Sequence, residues 1–161
     1  MKRRNKGRFY EACLMRIFIL SLGVIGICFF IIFRSQSYLS LKKHMQTKWD
    51  LLIPEKGEIS YVYDGSKGFF SDGVKYYVVD YKNMLPAFDP SFDWKEIGEV
   101  SINNDGCSAY FKSIAKTESI PKERWPNFDD CRVVDITSED DRLLLFFDKS
   151  LNRLFIFELY I

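Results

Sequence analysis

Hydrophobic and polar positions follow three different patterns along the chain, and each predicts a different kind of element. From Ile17 to Phe33 the sequence reads IFILSLGVIGICFFIIF, seventeen residues without a charge. As a helix rising 1.5 Å per residue it spans about 26 Å, and Ala12 to Met15 extend it far enough to cross a bilayer with some tilt. Arg16 interrupts the extension, but a long basic side chain near the end of a span snorkels to the headgroups. The pattern predicts a transmembrane helix over 12–34 behind a basic leader, residues 1–11.

The second pattern covers 35–53. Tyr38, Leu41, Met45 and Trp49 recur at spacings of three, four and four, the stripe of an amphipathic helix. A stalk continuing from the membrane helix is expected, its stripe packing on the following domain. The alternative is an interfacial or partner-binding surface, suggested by the aromatic ends and by Lys42-Lys43.

The third pattern fills residues 54–161. Pro54 ends the helix. Glu58 to Tyr63 alternates, Asp64-Gly65 and Asp72-Gly73 mark turns, and Val74 to Tyr81 is β-branched and aromatic, so 58–82 reads as a hairpin around a loop containing Phe69-Phe70. Pro86 and Pro90 make 82–100 irregular, with at most a helical turn near Asp93 to Ile97. Asn103 to Gly106 supply caps for a helix over 106–117, with Ala109, Ile114, Tyr110 and Phe111 facing a sheet. Two prolines make 120–130 a loop. RVVDIT, RLLLFFD and RLFIFELYI then read as strands, the last two forming a hairpin from Arg142 to Tyr160 about the turn DKSLN; apolar residues on both faces place them centrally in the sheet. The expected domain is α+β, a mainly antiparallel sheet of about five strands with one packed helix.

Charge sharpens this picture. Net charge is only +1, yet residues 1–33 carry six Lys/Arg against one Glu, and 34–161 carry 17 against 21 Asp/Glu. Lys2, Arg3, Arg4, Lys6 and Arg8 predict a cytoplasmic N-terminus, with 34 onward outside. The acidic domain lacks the basic patch that phosphate backbones require, which disfavours nucleic acid. With 17% aromatic residues the domain has material for a real core. The apolar run has three rival readings, of which a buried core helix is disfavoured because the run is apolar all round and directly follows the basic leader. A cleaved signal peptide finds an exit at Ser35-Gln36-Ser37, but the run is longer than the usual h-region. A lipoprotein anchor at Cys28 fits poorly with Ile27 before it. Gly23 and Gly26 stand at G-x-x-G, not at the G-x-x-x-G of a helix dimer.

Candidate chemistry is sparse. Cys107 and Cys131 form the only extramembrane pair; bridged, they close a loop of about 25 residues worth roughly 3 kcal/mol, and the alternative is two buried thiols. His44, the only histidine, is expected to face solvent on the stalk, and no nucleophile turn of the G-x-S-x-G type occurs. Zinc is excluded by ligand spacing. Acidic groups at Glu139-Asp140-Asp141, at Asp129-Asp130 and at Asp89, Asp93 and Asp105 lack calcium-loop spacing and read as turn formers. Asp64-Gly65, Asp72-Gly73 and Asn103 to Gly106 lack the strand-loop-helix context of phosphate cradles. No catalytic, cofactor or metal residue is assigned.

The stretch IPEKGEISYVYDGSKGFFSDGVKYYVVDY with the closing RLLLFFDKSLNRLFIFELYI resembles small single-pass or secreted proteins of Bacillus-type Gram-positive bacteria. The resemblance implies a cell-membrane location and carries over no site residue. The expected function is a membrane-tethered binding or interaction module whose partners are the lipid bilayer and an envelope protein, peptide or wall polymer. The rivals are an envelope hydrolase using a carboxylate pair from Asp89, Asp93, Asp129 and Asp130, and a structural subunit with an exposed apolar patch at Phe69-Phe70 or the stalk stripe.

Overall fold

A computed structural model describes residues 4–65, 73–82, 86–88, 90, 92–102 and 105–160. The chain divides into two compact units, Met1–Ser37 and Tyr38–Ile161. Helix α1, Arg4–Trp49, contributes to both.

In the first unit the described side chains are Met15, residues 18–26, Cys28 and Ser37. Met15, Phe18, Ile19, Leu20, Leu22, Val24 and Ile25 are each more than half exposed. At 100° per residue these positions surround the helix instead of forming one stripe. Among the described residues no helix is both long and apolar enough to cross a membrane; of the run Ile17–Phe33, the side chains of 17, 27 and 29–33 lie outside that description.

The second unit is an antiparallel sheet with a helix on each face. Its elements are the last part of α1, from Tyr38, then β1 (Glu58–Asp64), β2 (Gly73–Asp80), β3 (Lys95–Glu96), β4 (Ser101–Ile102), β5 (Asp105–Gly106), α2 (Cys107–Thr117), β6 (Cys131–Ser138), β7 (Asp141–Asp148) and β8 (Arg153–Tyr160). Among the described residues the main sheet has six strands in the order β1-β2-β8-β7-β6-β3, and β4 and β5 form a separate two-residue ribbon. Five of the six were legible as apolar runs. The sixth, β3, lies where at most a helical turn was expected; it pairs Lys95 with Val133, and a 3-10 turn follows over Ile97–Glu99. Two residues give no period to detect.

Alternation along the central strands sends side chains to opposite cores. Tyr76, Phe146, Phe155 and Phe157 pack with Cys107, Phe111 and Ala115 of α2. The Phe111 ring lies 4.9 Å from Phe157 and 5.5 Å from Phe146, in tilted and edge-to-face geometry. The buried face of α2 is therefore Cys107, Phe111 and Ala115, at i, i+4 and i+8, and Ala109, expected inside, is exposed. Its helix starts at Cys107 with Gly106 as N-cap and no side-chain cap bond; Asn103 and Asn104 lie outside the described residues, as does the Phe69-Phe70 loop.

On the opposite face, Leu143, Leu145, Leu154 and Ile156 pack with Tyr38, Leu41, Met45 and Trp49. The stripe read as a stalk is thus a layer of the core, each member at most 6% exposed. Asp50, at φ 54°, turns the chain out of α1, and the Leu51 N–H donates to the Met45 carbonyl. The β7–β8 turn is set by Asp148, whose Oδ1 accepts from Ser150 Oγ (2.6 Å) and Leu151 N (3.0 Å), and by Asn152 at φ 48°.

Because Met45 is fully buried and Leu39 is 59% exposed on the same helix, Met45→Ala should cost about 2–5 kcal/mol and Leu39→Ala less than about 0.5 kcal/mol. Urea unfolding of the two variants checks this, and equal effects would remove α1 from the core.

Candidate functional site

Glu158 is the one charge inside RLFIFELYI, and alternation aims it at the α1 face of the sheet, where it is fully buried. Burying a carboxylate is costly unless donors replace its water. Three side chains do so. His44 Nε2 lies 3.0 Å from both carboxylate oxygens, Trp49 Nε1 donates to Oε1 at 2.9 Å, and the Tyr160 hydroxyl donates to Oε2 at 2.5 Å. A carboxylate offers only lone pairs, so His44 carries hydrogen on Nε2. Lys48 completes the cluster, 3.7 Å from the Tyr160 ring centroid and 2.5 Å from Asp141. Burial first, and the bond to Glu158 second, push the Tyr160 phenol well above its ordinary range, so it remains a donor.

His44 is therefore not the solvent-facing residue expected from its place between Lys43 and Met45. It sits beside the core stripe, half-buried and committed to Glu158. The lone glutamate in an apolar strand covered on both faces was the available sequence signal, since such a residue needs donors from the facing layer. Chemically the cluster has a histidine oriented by a carboxylate, but its third member is a tyrosine rather than a serine or cysteine. It acts as a staple between α1 and β8.

A cleft of about 480 Å³ opens elsewhere in this unit, between α1, the segment leaving it and the connection after β2. Its apolar lining includes Leu52, Ile53, Tyr81 and Phe88, and Lys42, Glu55 and Lys56 supply charge. Lys42 pairs with Glu55 at 3.8 Å. Beneath it the Tyr38 and Tyr81 hydroxyls lie 3.2 Å apart, and Tyr38 also donates to the Pro54 carbonyl. Burial raises both phenols, keeping them neutral. Gly57 fits this corner because a Cβ there would stand 2.7 Å from the Tyr38 ring.

Of the carboxylates considered for hydrolysis, the described ones, Asp93, Asp129 and Asp130, do not line this cleft. Asp93 pairs with Lys95, Asp129 and Asp130 sit on a 3-10 turn where Asp130 accepts from Asn127, and Asp89 lies outside the described residues. Among the described residues no group of three or more His, Cys, Asp or Glu is placed to hold a metal. Cys107 and Cys131 are free, buried thiols in the α2-side core. Comparison with family models, with curated proteins and with solved structures returns no match.

Two predictions follow from these environments. Glu158→Ala leaves the buried Trp49 N–H and the half-buried His44 and Tyr160 donors without their acceptor and should destabilise by about 3–5 kcal/mol through the loss of three bonds to a charged group, against about 1.5–3 kcal/mol for Trp49→Phe, which removes one; urea midpoints read both. Burial, chiefly, pushes the Cys107 thiol up to about 11 and the Cys131 thiol up to about 12, and does the same to Tyr77, up to about 12. A raised folded-state value favours the protonated form, so this stability is intact below the ordinary thiol value and lost as pH climbs through about 11 to 12. The urea midpoint should fall across that alkaline window, and a flat profile would contradict the burial of these groups.

Proposed function

We propose that the protein is a single-pass membrane protein, N-terminus cytoplasmic, whose second unit is a binding module at the outer face of the membrane. The observation that carries this reading is the helix surface over Met15–Ile25, where large apolar side chains are exposed around the whole circumference. In water such a surface is unfavourable at roughly 25 cal/mol per Å²; lipid removes that penalty. The uncharged continuation to Phe33 and the basic leader supply span and orientation.

Binding, rather than catalysis, is supported by how the second unit uses its reactive groups. Glu158 and His44 are tied to each other, the two thiols are held protonated by burial, and the cleft combines apolar walls with a few charges, the composition of ligand sites.

Two measurements test the reading. The full chain should stay in the pellet when membranes are washed with alkaline carbonate. Lys149→Cys, in the exposed β7–β8 turn, should react with an impermeant maleimide on intact cells. Release by carbonate would remove the anchor, and labelling only after lysis would reverse the orientation.

A further inference from the structure

We infer that the cleft between Lys42, the Leu52–Lys56 segment and Phe88 binds a single-chain anionic amphiphile, one acyl chain bearing one negative charge. This rests on the membrane-tethered binding reading and names its ligand class.

Three features select that chemistry. The walls contributed by Leu52, Ile53, Tyr81 and Phe88 are apolar, so the ligand's body is hydrocarbon. Among the described charges of the lining, Glu55 is offset by Lys42 at 3.8 Å, which leaves Lys56 in excess. Lys56 is exposed and makes no ion pair among the described residues, so the cleft complements a monoanion. A volume of about 480 Å³ falls in the lower half of the range for small-ligand sites. A protein partner would instead spread over about 800 Å² of each surface.

On the membrane-tethered reading the source of such a molecule is the bilayer. Lys42 follows Phe33, the end of the apolar run, by nine residues, a reach of about 30 Å even for extended chain. The Tyr38–Tyr81 hydroxyl pair and the Tyr38–Pro54 bond hold one wall in place, so binding orders little additional chain.

The test uses the full chain in phosphatidylcholine nanodiscs with decanoate carrying a nitroxide, read by quenching of Trp94, whose ring lies 5.0 Å from Phe88. Quenching should saturate, weaken at least tenfold in Lys56→Glu, and vanish in Ala87→Phe, which fills the cleft from an exposed position without adding a fluorophore that competes with Trp94. Unlabelled decanoate should compete at least tenfold better than decanol. Competition by decanoate alone assigns a free fatty acid, and competition by lysophosphatidylglycerol alone assigns a phospholipid-derived ligand. Unchanged urea midpoints in both variants exclude unfolding as the cause of lost quenching. Quenching that rises without saturation, that is equal in all three proteins, or that is displaced only by an acidic peptide overturns the inference. Carbonate extraction separates the two levels. A chain retained in membranes without saturable quenching sinks the ligand alone, and a chain released yet saturably quenched sinks the tether alone.

Discussion

The second unit is organised around a carboxylate that cannot reach water. Glu158 lies in the interior of an apolar strand, fully buried, and an unpaired charge there would cost more than a domain's usual margin of stability leaves to spare. Its donors come from two elements: His44 and Trp49 from α1, and Tyr160 from β8 itself. Sliding α1 by one turn, about 5.4 Å, would break the His44 and Trp49 contacts to Glu158 together with the Tyr38 contacts to Pro54 and Tyr81. The polar cluster therefore selects the docking register of α1, and greasy packing supplies most of the affinity. The exit of the chain at Asp50, the Leu52–Lys56 segment and hence the cleft all follow from that register.

The opposite face depends on the same sheet in a different way. There the contacts are aromatic and redundant: Phe111 meets Tyr76, Phe128, Phe146 and Phe157 at ring separations of 4.9 to 5.6 Å. No single one of these pairs fixes α2, since several offset and edge-on geometries have similar energy. One helix is thus positioned by a few directional bonds and the other by shape, and the continuous apolar runs of β7 and β8 exist because both helices must be faced at once.

This difference explains what could be read from residue order. The closing hairpin, the first hairpin, the α2 helix and the stripe of α1 all announce themselves by period, because burial on one or both faces imposes a spacing of 2 or 3.6. β3 does not, since a two-residue strand is defined by its partner, Arg132–Val133, and not by its own pattern. The α2 register was legible only in part: Tyr110 and Ile114 flank the core, Ala109 faces water, and the small Cys107 and Ala115 are the residues that let the helix approach. The Glu158 cluster was hidden for a further reason. His44 and Glu158 are separated by 114 residues, and only the crossing of α1 over β8 joins them; a lone glutamate in an apolar strand signals that donors exist, without saying where. The cleft is hidden more deeply still, being a gap between three segments that no local pattern describes.

Charge distribution ties these pieces to the binding reading. The second unit carries an acidic excess, yet several of its acids are paired with cations internally: Asp80 with Arg153, Asp135 with Arg142 and Asp141 with Lys48. Pairs of this kind, partly buried and bidentate in the Arg142–Asp135 case, serve the fold and add little field outside it. What solvent meets near the cleft is instead the Lys42–Glu55 pair with Lys56 beside it. A locally cationic rim on an acidic domain is unfavourable for an anionic polymer, which would meet repulsion over the rest of the surface, but it suits a small monoanion that contacts only the rim. The domain's overall charge and the cleft's local charge thus select together for a ligand of small extent.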